Sequence, residues 1–213
     1  MTVVGIVPAG GTGERLGAER PKAFVVLAGR PLVDWSVEAL AGVCERVVIA
    51  VPPDYVDGPD RVVGGASRSE SVRNALRAAS EATVAVVHDA ARPLVTPELV
   101  RACVDALEPG VDGAIAAAPM SDTVKEATPD GRVVRTLDRS VLWRIQTPQV
   151  FRAHVLREAL DRDVTALAAA TDDASLVEEM GGTVRVVEAP PDNLKVTRES
   201  DLRIAEALLR ERV

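Results

Sequence analysis

The chain has 213 residues, a formal net charge of −7 and two cysteines, and these values exclude several classes of protein. The length is that of one domain with enough chain to bury a core, so we expect residues 1–213 to form a single domain. The negative charge argues against a nucleic-acid partner, which needs a concentrated basic face. The chain shows no apolar stretch that could span a membrane and no signal peptide, and Cys44 and Cys103 lack metal-ligand spacing, so we expect a cytoplasmic protein.

Predicted strands alternate with predicted helices along the chain. Continuous apolar runs are typical of parallel strands that are buried on both faces. Such runs lie at residues 3–7, 47–51, 84–87 and 114–118, and also at 184–187 apart from Arg185. Helix starts are marked by Ser67 with Glu70, by Thr96 before Pro97, and by Thr197. This order predicts an α/β fold, a single doubly wound and mostly parallel sheet with helices on both faces and ligands at the carboxyl ends of the strands.

Residues 121–142 interrupt this alternation. The sequence Pro-Asp-Gly at 129–131 is a strong turn signal, and β-branched residues mixed with charged ones flank it. We therefore expect a protruding β-hairpin arm. Because an isolated two-stranded hairpin is only marginally stable in water, we expect the arm to pack against a second subunit in a homodimer.

A glycine-rich segment, PAGGTGERL at residues 8–16, follows the first predicted strand and is succeeded by Pro21 and Lys22. Glycines there let backbone N–H groups approach a polyanion, while Arg15 and Lys22 add positive charge. The segment matches neither a dinucleotide fingerprint, since Leu16 stands where the third glycine belongs, nor a Walker loop. We interpret it as a triphosphate site, with a glycine turn of no chemical role as the alternative. The expected nucleotide contacts are Pro8, Ala9, Gly10, Gly11 and Gly13.

Three further clusters follow other predicted strands. In HDAARP, residues 88–93, Asp89 can hold a divalent ion and Arg92 can bind a second anion, although the two could simply pair across a turn. In GGASRSESV, residues 64–72, Gly65, Ala66 and Ser71 are candidates for contacts with a nucleobase or ribose, and an ordinary capped turn is the alternative. In DNLKVT, residues 192–197, a second acid and a second lysine stand three positions apart.

These motifs, together with Thr147-Pro148-Gln149, resemble in order and approximate spacing those of the 2-C-methyl-D-erythritol 4-phosphate cytidylyltransferase family. The resemblance covers essentially the whole chain. It implies cytidylyl transfer from CTP to 2-C-methyl-D-erythritol 4-phosphate, with release of pyrophosphate, in non-mevalonate isoprenoid biosynthesis. The expected products are 4-diphosphocytidyl-2-C-methyl-D-erythritol and pyrophosphate.

The same resemblance assigns roles to individual residues. It implies that Arg15, Lys22 and Lys195 are catalytic and act on the phosphate charge. Asp89 and Asp192 are then expected to hold Mg²⁺ against the phosphate oxygens. Transfers of this kind are catalysed mainly by alignment and charge neutralisation, so no nucleophilic side chain is needed.

The expected polyol-phosphate contacts are Arg92, Thr136 and Arg152. In the family, the arm of the partner subunit meets the substrate phosphate, and Thr136 is the corresponding position here. The family also has an arginine after its Thr-Pro-Gln motif, but that position aligns with Ala153. Arg152 is the nearest arginine to it.

Other functions share parts of this pattern. A ribitol 5-phosphate cytidylyltransferase would have the same nucleotide site and chemistry, and a guanylyl- or uridylyltransferase would have the same loop. A CTP-sensing regulator without catalysis is the alternative from another class. Asp89, Asp192 and Lys195 argue against that regulator, because it would have no need of metal ligands and a second lysine.

Overall fold

The fold is seen in a computed structural model that describes residues 1–11, 13 and 20–212. The strands of this described part are β1 (Val3–Pro8), β2 (Val26–Leu27), β3 (Arg30–Pro31), β4 (Arg46–Val51), β5 (Arg61–Val63), β6 (Val84–Val87), β7 (Gly113–Pro119), β8 (Lys125–Ala127), β9 (Val133–Thr136), β10 (Trp143–Arg152) and β11 (Val184–Glu188). Its α-helices are α1 (Leu32–Ala41), α2 (Arg68–Ala78), α3 (Pro97–Asp105), α4 (Ala153–Ala159), α5 (Val164–Ala169), α6 (Asp173–Glu179) and α7 (Glu199–Glu211).

Among the described residues, seven strands form one sheet in the order β11-β7-β10-β6-β1-β4-β5. Only β10 runs antiparallel to its neighbours, β6 and β7, while the other pairs in the sheet are parallel. The predicted mostly parallel α/β sheet is therefore confirmed. This topology brings the carboxyl ends of β1, β4 and β6 together at one edge.

Helices cover both faces of the sheet. Consecutive residues of a strand point to opposite faces, and β1 shows this clearly. Val3 and Val7 pack in a core cluster with residues of α1 and α3. Val4 and Ile6 pack in a second cluster with residues of α2, α4 and α6. Two buried faces explain why the predicted strands are continuous apolar runs.

Two of the predicted helix starts are confirmed and the third is displaced. The hydroxyl of Ser67 accepts a 3.1 Å hydrogen bond from the backbone N–H of Glu70, and Thr96 caps α3 in the same way through Leu99. Thr197, in contrast, does not cap α7. The helix begins later, at Glu199, because the Asp201 carboxylate accepts hydrogen bonds from both the backbone and the hydroxyl of Thr197 and draws that residue outside the helix.

Residues 121–142 contain the expected hairpin. Strands β8 and β9 pair with each other and form a separate two-stranded sheet. Val133 and Val134 of β9 point to opposite faces of this ribbon, and they are 58% and 56% exposed. The hairpin thus buries neither face in a single chain.

None of the helices in the described part of the chain is long and apolar enough to cross a membrane.

Candidate active site

A cavity of about 580 Å³ opens at the carboxyl ends of β1 and β6. Its volume lies in the range of small-molecule sites. It collects most of the residues that the sequence predicted for nucleotide, metal and catalysis. Those that line it are Pro8, Ala9, Gly10, Gly11, Gly13, Lys22, Gly65, Ala66, Ser71, Asp89 and Lys195.

The first wall of this cavity is the glycine-rich segment after β1. The backbone N–H of Lys22 donates to the carbonyl oxygen of Gly11 at 3.0 Å, which closes the segment back on itself. Gly13 has a φ of +78°, and a Cβ there would lie 3.3 Å from the backbone of Lys22. Glycine is therefore required at this position. The catalytic prediction for Arg15 falls outside the described residues.

The second wall is the turn that leads into α2. A Cβ on Gly65 would come within 2.2 Å of Cγ of Glu70, so the close approach depends on glycine. The Ser71 hydroxyl accepts a 3.0 Å hydrogen bond from the backbone N–H of Gly65 and donates to the carbonyl oxygen of Ser67 at 2.9 Å. Ser71 therefore shapes the turn, whatever it contacts in a ligand.

Asp89 lies at the base of the cavity between two cations. Its Oδ1 is 3.0 Å from Nε of Arg68, and its Oδ2 is 2.6 Å from Nζ of Lys195. Burial alone would raise the pKa of Asp89, but the charges of Arg68 and Lys195 outweigh it and hold the pKa well below its usual range. Asp89 is thus a fixed negative charge that holds Lys195 in place.

The loop that carries Asp89 is fastened by a buried histidine. His88 is fully buried, its Nε2 lies 3.1 Å from the carbonyl oxygen of Arg92, and its Nδ1 lies 3.0 Å from the hydroxyl of Thr147. That hydroxyl also accepts a 3.0 Å hydrogen bond from the backbone N–H of Asp89. Burial lowers the pKa of His88 to about 4, so the imidazole is neutral near pH 7 and donates through Nε2.

A second cavity, of about 340 Å³, adjoins the first. Its lining includes Arg92, which the sequence analysis named as a candidate polyol-phosphate contact, together with Gln149, Thr171 and Asp172. Burial lowers the pKa of Arg92, and its Nη1 donates to the carbonyl oxygen of Asn193 at 2.8 Å. Among the described residues, the side chains that line both cavities are those of Arg68, Asp89 and Lys195. They mark the junction at which two bound molecules would meet.

Two predicted substrate contacts lie away from these cavities within the chain. Thr136 is on the hairpin, where its hydroxyl accepts a 2.6 Å hydrogen bond from Nζ of Lys125. Arg152 pairs in register with Val84, the first residue of β6, so it lies at the opposite edge of the sheet from Asp89. It donates there to the carbonyl oxygens of Leu107, Glu108 and Val111. Its placement disagrees with a substrate contact in the cavities of the same chain, because its Nε and Nη2 bind backbone groups at the other edge of the sheet.

Asp192 also lies outside the linings of both cavities. Its Oδ2 is 3.2 Å from Nη2 of Arg212, and its Oδ1 is buried without a hydrogen-bond partner among the described residues. No three histidine, cysteine, aspartate or glutamate side chains of the described part come together as a metal cage. Asp89 can serve as one carboxylate ligand to a Mg²⁺ that phosphate oxygens also hold, since Mg²⁺ is commonly bound in that way. The residues do not fit a ready-made site shared by Asp89 and Asp192.

Arg68, Thr171 and Asp172 are site residues that the sequence did not assign. Arg68 lies inside the GGASRSESV motif, directly after the helix cap. Its position at a helix start facing the sheet edge was the signal in the sequence that could have identified it as a site residue. Thr171 and Asp172 precede α6, which no periodic pattern marked. Their place in the second cavity depends on the packing of α6 against β7 and β11, which the sequence does not display.

Comparisons with known proteins agree with this geometry. The family model for 2-C-methyl-D-erythritol 4-phosphate cytidylyltransferase matches residues 3–211. An enzyme of that name from Frankia casuarinae is 46% identical over 97% of this chain and 81% of its own length. Another from Nocardia farcinica is 44% identical over 99% of this chain and 95% of its own length. The crystal structure of the Thermus thermophilus enzyme superposes with a TM-score of 0.83 and 34% identity, over 99% of this chain and 100% of that one.

The family model spans nearly all of the chain, and the relatives are similar along most of their own length. Three features of this chain accompany the family match. They are the order of its motifs, the antiparallel β10 in its sheet and the two adjoining cavities. The chain therefore belongs to the 2-C-methyl-D-erythritol 4-phosphate cytidylyltransferase family.

Proposed function

We infer that this protein transfers a cytidylyl group from CTP to 2-C-methyl-D-erythritol 4-phosphate and releases pyrophosphate, a step of isoprenoid biosynthesis. The observation that carries this inference is the meeting of two cavities at Arg68, Asp89 and Lys195. The larger cavity has the glycine-rich walls that a triphosphate needs, and the smaller one has Arg92 to bind a second phosphate. The α-phosphate of CTP and the attacking phosphate would then meet at the junction.

The chemistry requires positioning more than it requires a reactive side chain. A phosphate oxygen of the polyol phosphate forms a bond to the α-phosphorus of CTP while the bond to the bridging oxygen of pyrophosphate breaks. The nucleophile is already an anion, so no base has to remove a proton. The protein must hold two anions in line and offset their mutual repulsion.

The residues at the junction can meet this demand. Asp89 holds the ammonium group of Lys195 at the junction through a 2.6 Å contact, and there Lys195 would stabilise the charge that builds up on the α-phosphate. Lys22 also lines the larger cavity and would bind the leaving pyrophosphate. Arg92 lines the smaller cavity and would orient the attacking phosphate. Each of these roles acts through charge and position.

We further propose that the reaction depends on Mg²⁺ that enters with CTP. When bound, the ion neutralises phosphate charge and makes pyrophosphate a better leaving group. Asp89 would be the protein ligand to this Mg²⁺, because it is the carboxylate in the cavity lining. Asp192 would take part only after releasing Arg212.

We also propose a homodimer joined through residues 121–142 and a cytoplasmic location. The hairpin that leaves both of its faces exposed supports the dimer, and Thr136 on that hairpin would meet the polyol phosphate of the partner subunit. Cys44 and Cys103 are free and buried, and burial raises the pKa of each thiol to about 12. Unreactive reduced thiols are consistent with a reducing compartment.

Pyrophosphate release tests the proposed reaction. Purified protein is given CTP and Mg²⁺ with either 2-C-methyl-D-erythritol 4-phosphate or ribitol 5-phosphate, and the cytidylyl product is identified by mass. We expect release with the methylerythritol substrate alone. Release with ribitol 5-phosphate alone would move the protein to another pathway, and release with neither would contradict the transferase function. Omitting Mg²⁺, with a chelator present, tests the metal proposal separately.

A further inference from the structure

The side chain of Arg68 joins two carboxylates that lie far apart in the sequence. Its Nε is 3.0 Å from Oδ1 of Asp89, and its Nη1 is 2.5 Å from Oδ2 of Asp173. Burial alone would lower the pKa of Arg68, but the two carboxylates raise it above its usual value. The guanidinium is therefore charged and is held from both sides.

Asp173 is the buried end of this arrangement. It is the first residue of α6, its exposed fraction is 0%, and its Oδ1 has no hydrogen-bond partner among the described residues. Burial raises the pKa of Asp173, and the charge of Arg68 opposes that change. Placing a carboxylate in such a position costs free energy unless a cation compensates for it.

Capping of the helix does not explain Asp173. Asp172 already caps α6, since its Oδ1 accepts a 2.9 Å hydrogen bond from the backbone N–H of Ser175. Within the described part of the chain, the polar contact of the Asp173 side chain is the one with Arg68. The role of this buried charge must therefore be sought in Arg68.

The two carboxylates contact different sides of the guanidinium, since Asp89 faces Nε and Asp173 faces Nη1. A guanidinium that is held at two points is restrained from turning, so the position of its Nε against Oδ1 of Asp89 is fixed. Lys195 contacts the other oxygen of Asp89, Oδ2, at 2.6 Å. Asp173 is therefore linked to Lys195 through two intermediate side chains.

We propose that Asp173 is a positioning residue for the transfer reaction, acting through Arg68 to hold Asp89 where its Oδ2 binds Lys195. This inference rests on the proposed function, because it assigns Lys195 to the α-phosphate. It concerns a residue that lines neither cavity. Asp173 would thus influence turnover without contacting either substrate.

The test is a double-mutant cycle between Asp173 and Arg68. Asp173→Asn removes the negative charge and is expected to lower kcat by about tenfold, while the dissociation constant for CTP changes by less than about threefold. Arg68→Lys keeps the charge, but its single ammonium group has no planar fork with which to bridge Asp89 and Asp173. Adding Asp173→Asn to Arg68→Lys should therefore change kcat by less than about threefold.

The controls separate this effect from loss of folding. Asp60→Asn removes a carboxylate from a more exposed arginine contact outside both cavities, 2.7 Å from Nε of Arg46, and should leave kcat unchanged. Thermal unfolding of every variant shows whether it is folded. If Asp173→Asn does not fold, Asp173→Ser replaces it in the cycle, since serine is smaller than asparagine and is also uncharged.

Wild-type kcat from Asp173→Asn would overturn the proposal. So would an equal loss of kcat in the wild-type and Arg68→Lys backgrounds, because Asp173 would then act independently of Arg68. Failure of the wild-type protein to release pyrophosphate would instead contradict the proposed function. In that event Asp173→Asn is judged by CTP binding, and a loss of affinity above about threefold would show a role other than positioning Lys195.

Discussion

At the scale of single residues, His88 links folding to the site although it lines neither cavity itself. It joins Thr147, the backbone of Arg92 and, through the Thr147 hydroxyl, the backbone of Asp89. Asp89 and Arg92 therefore owe their positions to a neutral buried imidazole. The sequence indicated only that His88 follows a strand.

This burial predicts a pH dependence of stability. The pKa of His88 is about 4 in the folded chain and 6.5 as its ordinary value, so the unfolded chain binds the proton more readily. The contribution of neutral His88 to the free energy of unfolding is fully present above about pH 6.5. It is lost as the pH falls towards 4, by about 3 kcal/mol in total.

Denaturant unfolding at about pH 7 and about pH 5 measures this contribution. The substitution His88→Asn removes the titrating group, so we expect a less stable protein whose unfolding free energy depends less on pH over this interval. The matched control is His154→Asn, because His154 is exposed. This substitution should leave the pH dependence of stability as it is in the wild type. Equal slopes for His88→Asn and the wild type would contradict the account of His88.

The residues of the cavity were predictable to different degrees. Glycines, Lys22, Asp89 and Lys195 follow strands whose ends meet at one edge, and motif order alone placed them together. The position of Arg152 at the other edge of the sheet was not predictable, because a sequence gives no register for the antiparallel β10 that carries it. Asp173 was not predictable, since its partner Arg68 lies 105 positions away.

At the scale of elements, β10 and the hairpin show what periodicity conveys. The parallel strands were predicted because burial on both faces makes them uniformly apolar. Strand β10 has charged and exposed residues at its start and Thr147-Pro148-Gln149 in its middle, with a register shift against β7 at that point. It therefore lacks a pattern that would identify a strand, although it is the longest one in the described part of the chain.

The hairpin carries a prediction about assembly. Val134 is 56% exposed on β9, and burying it in a subunit interface would remove apolar surface from water. We expect Val134→Glu to weaken the homodimer by at least about tenfold in dissociation constant, because the interface would then contain an unpaired charge. Light scattering over a dilution series measures the mass.

Val63→Glu is the matched control for this substitution. Val63 is 50% exposed on β5, at the other side of the main sheet, and this substitution should leave the mass unchanged. A wild-type protein that is monomeric at micromolar concentration would contradict the proposed dimer. A Val134→Glu protein with the dimer mass would exclude the hairpin as its interface.

At the scale of the whole molecule, the charges of the site are opposite to the overall charge. The chain has a net charge of −7, yet Lys22, Arg68 and Lys195 line the larger cavity with Asp89 as the acidic residue of its lining. Attraction of anionic substrates must therefore be local. The fold achieves this by bringing to one sheet edge cationic residues from three separate parts of the sequence.

The central claim is that these cations act on charge in the transition state, and Lys22→Met tests it most directly. We expect kcat to fall by about a hundredfold or more while the dissociation constant for CTP rises by less than about tenfold. Arg20→Met, which removes a positive charge two positions away at an exposed residue outside the cavity lining, should retain nearly wild-type kcat. A Lys22→Met protein that loses CTP affinity but keeps its turnover at saturation would contradict the claim, because Lys22 would then bind the ground state and the transition state equally.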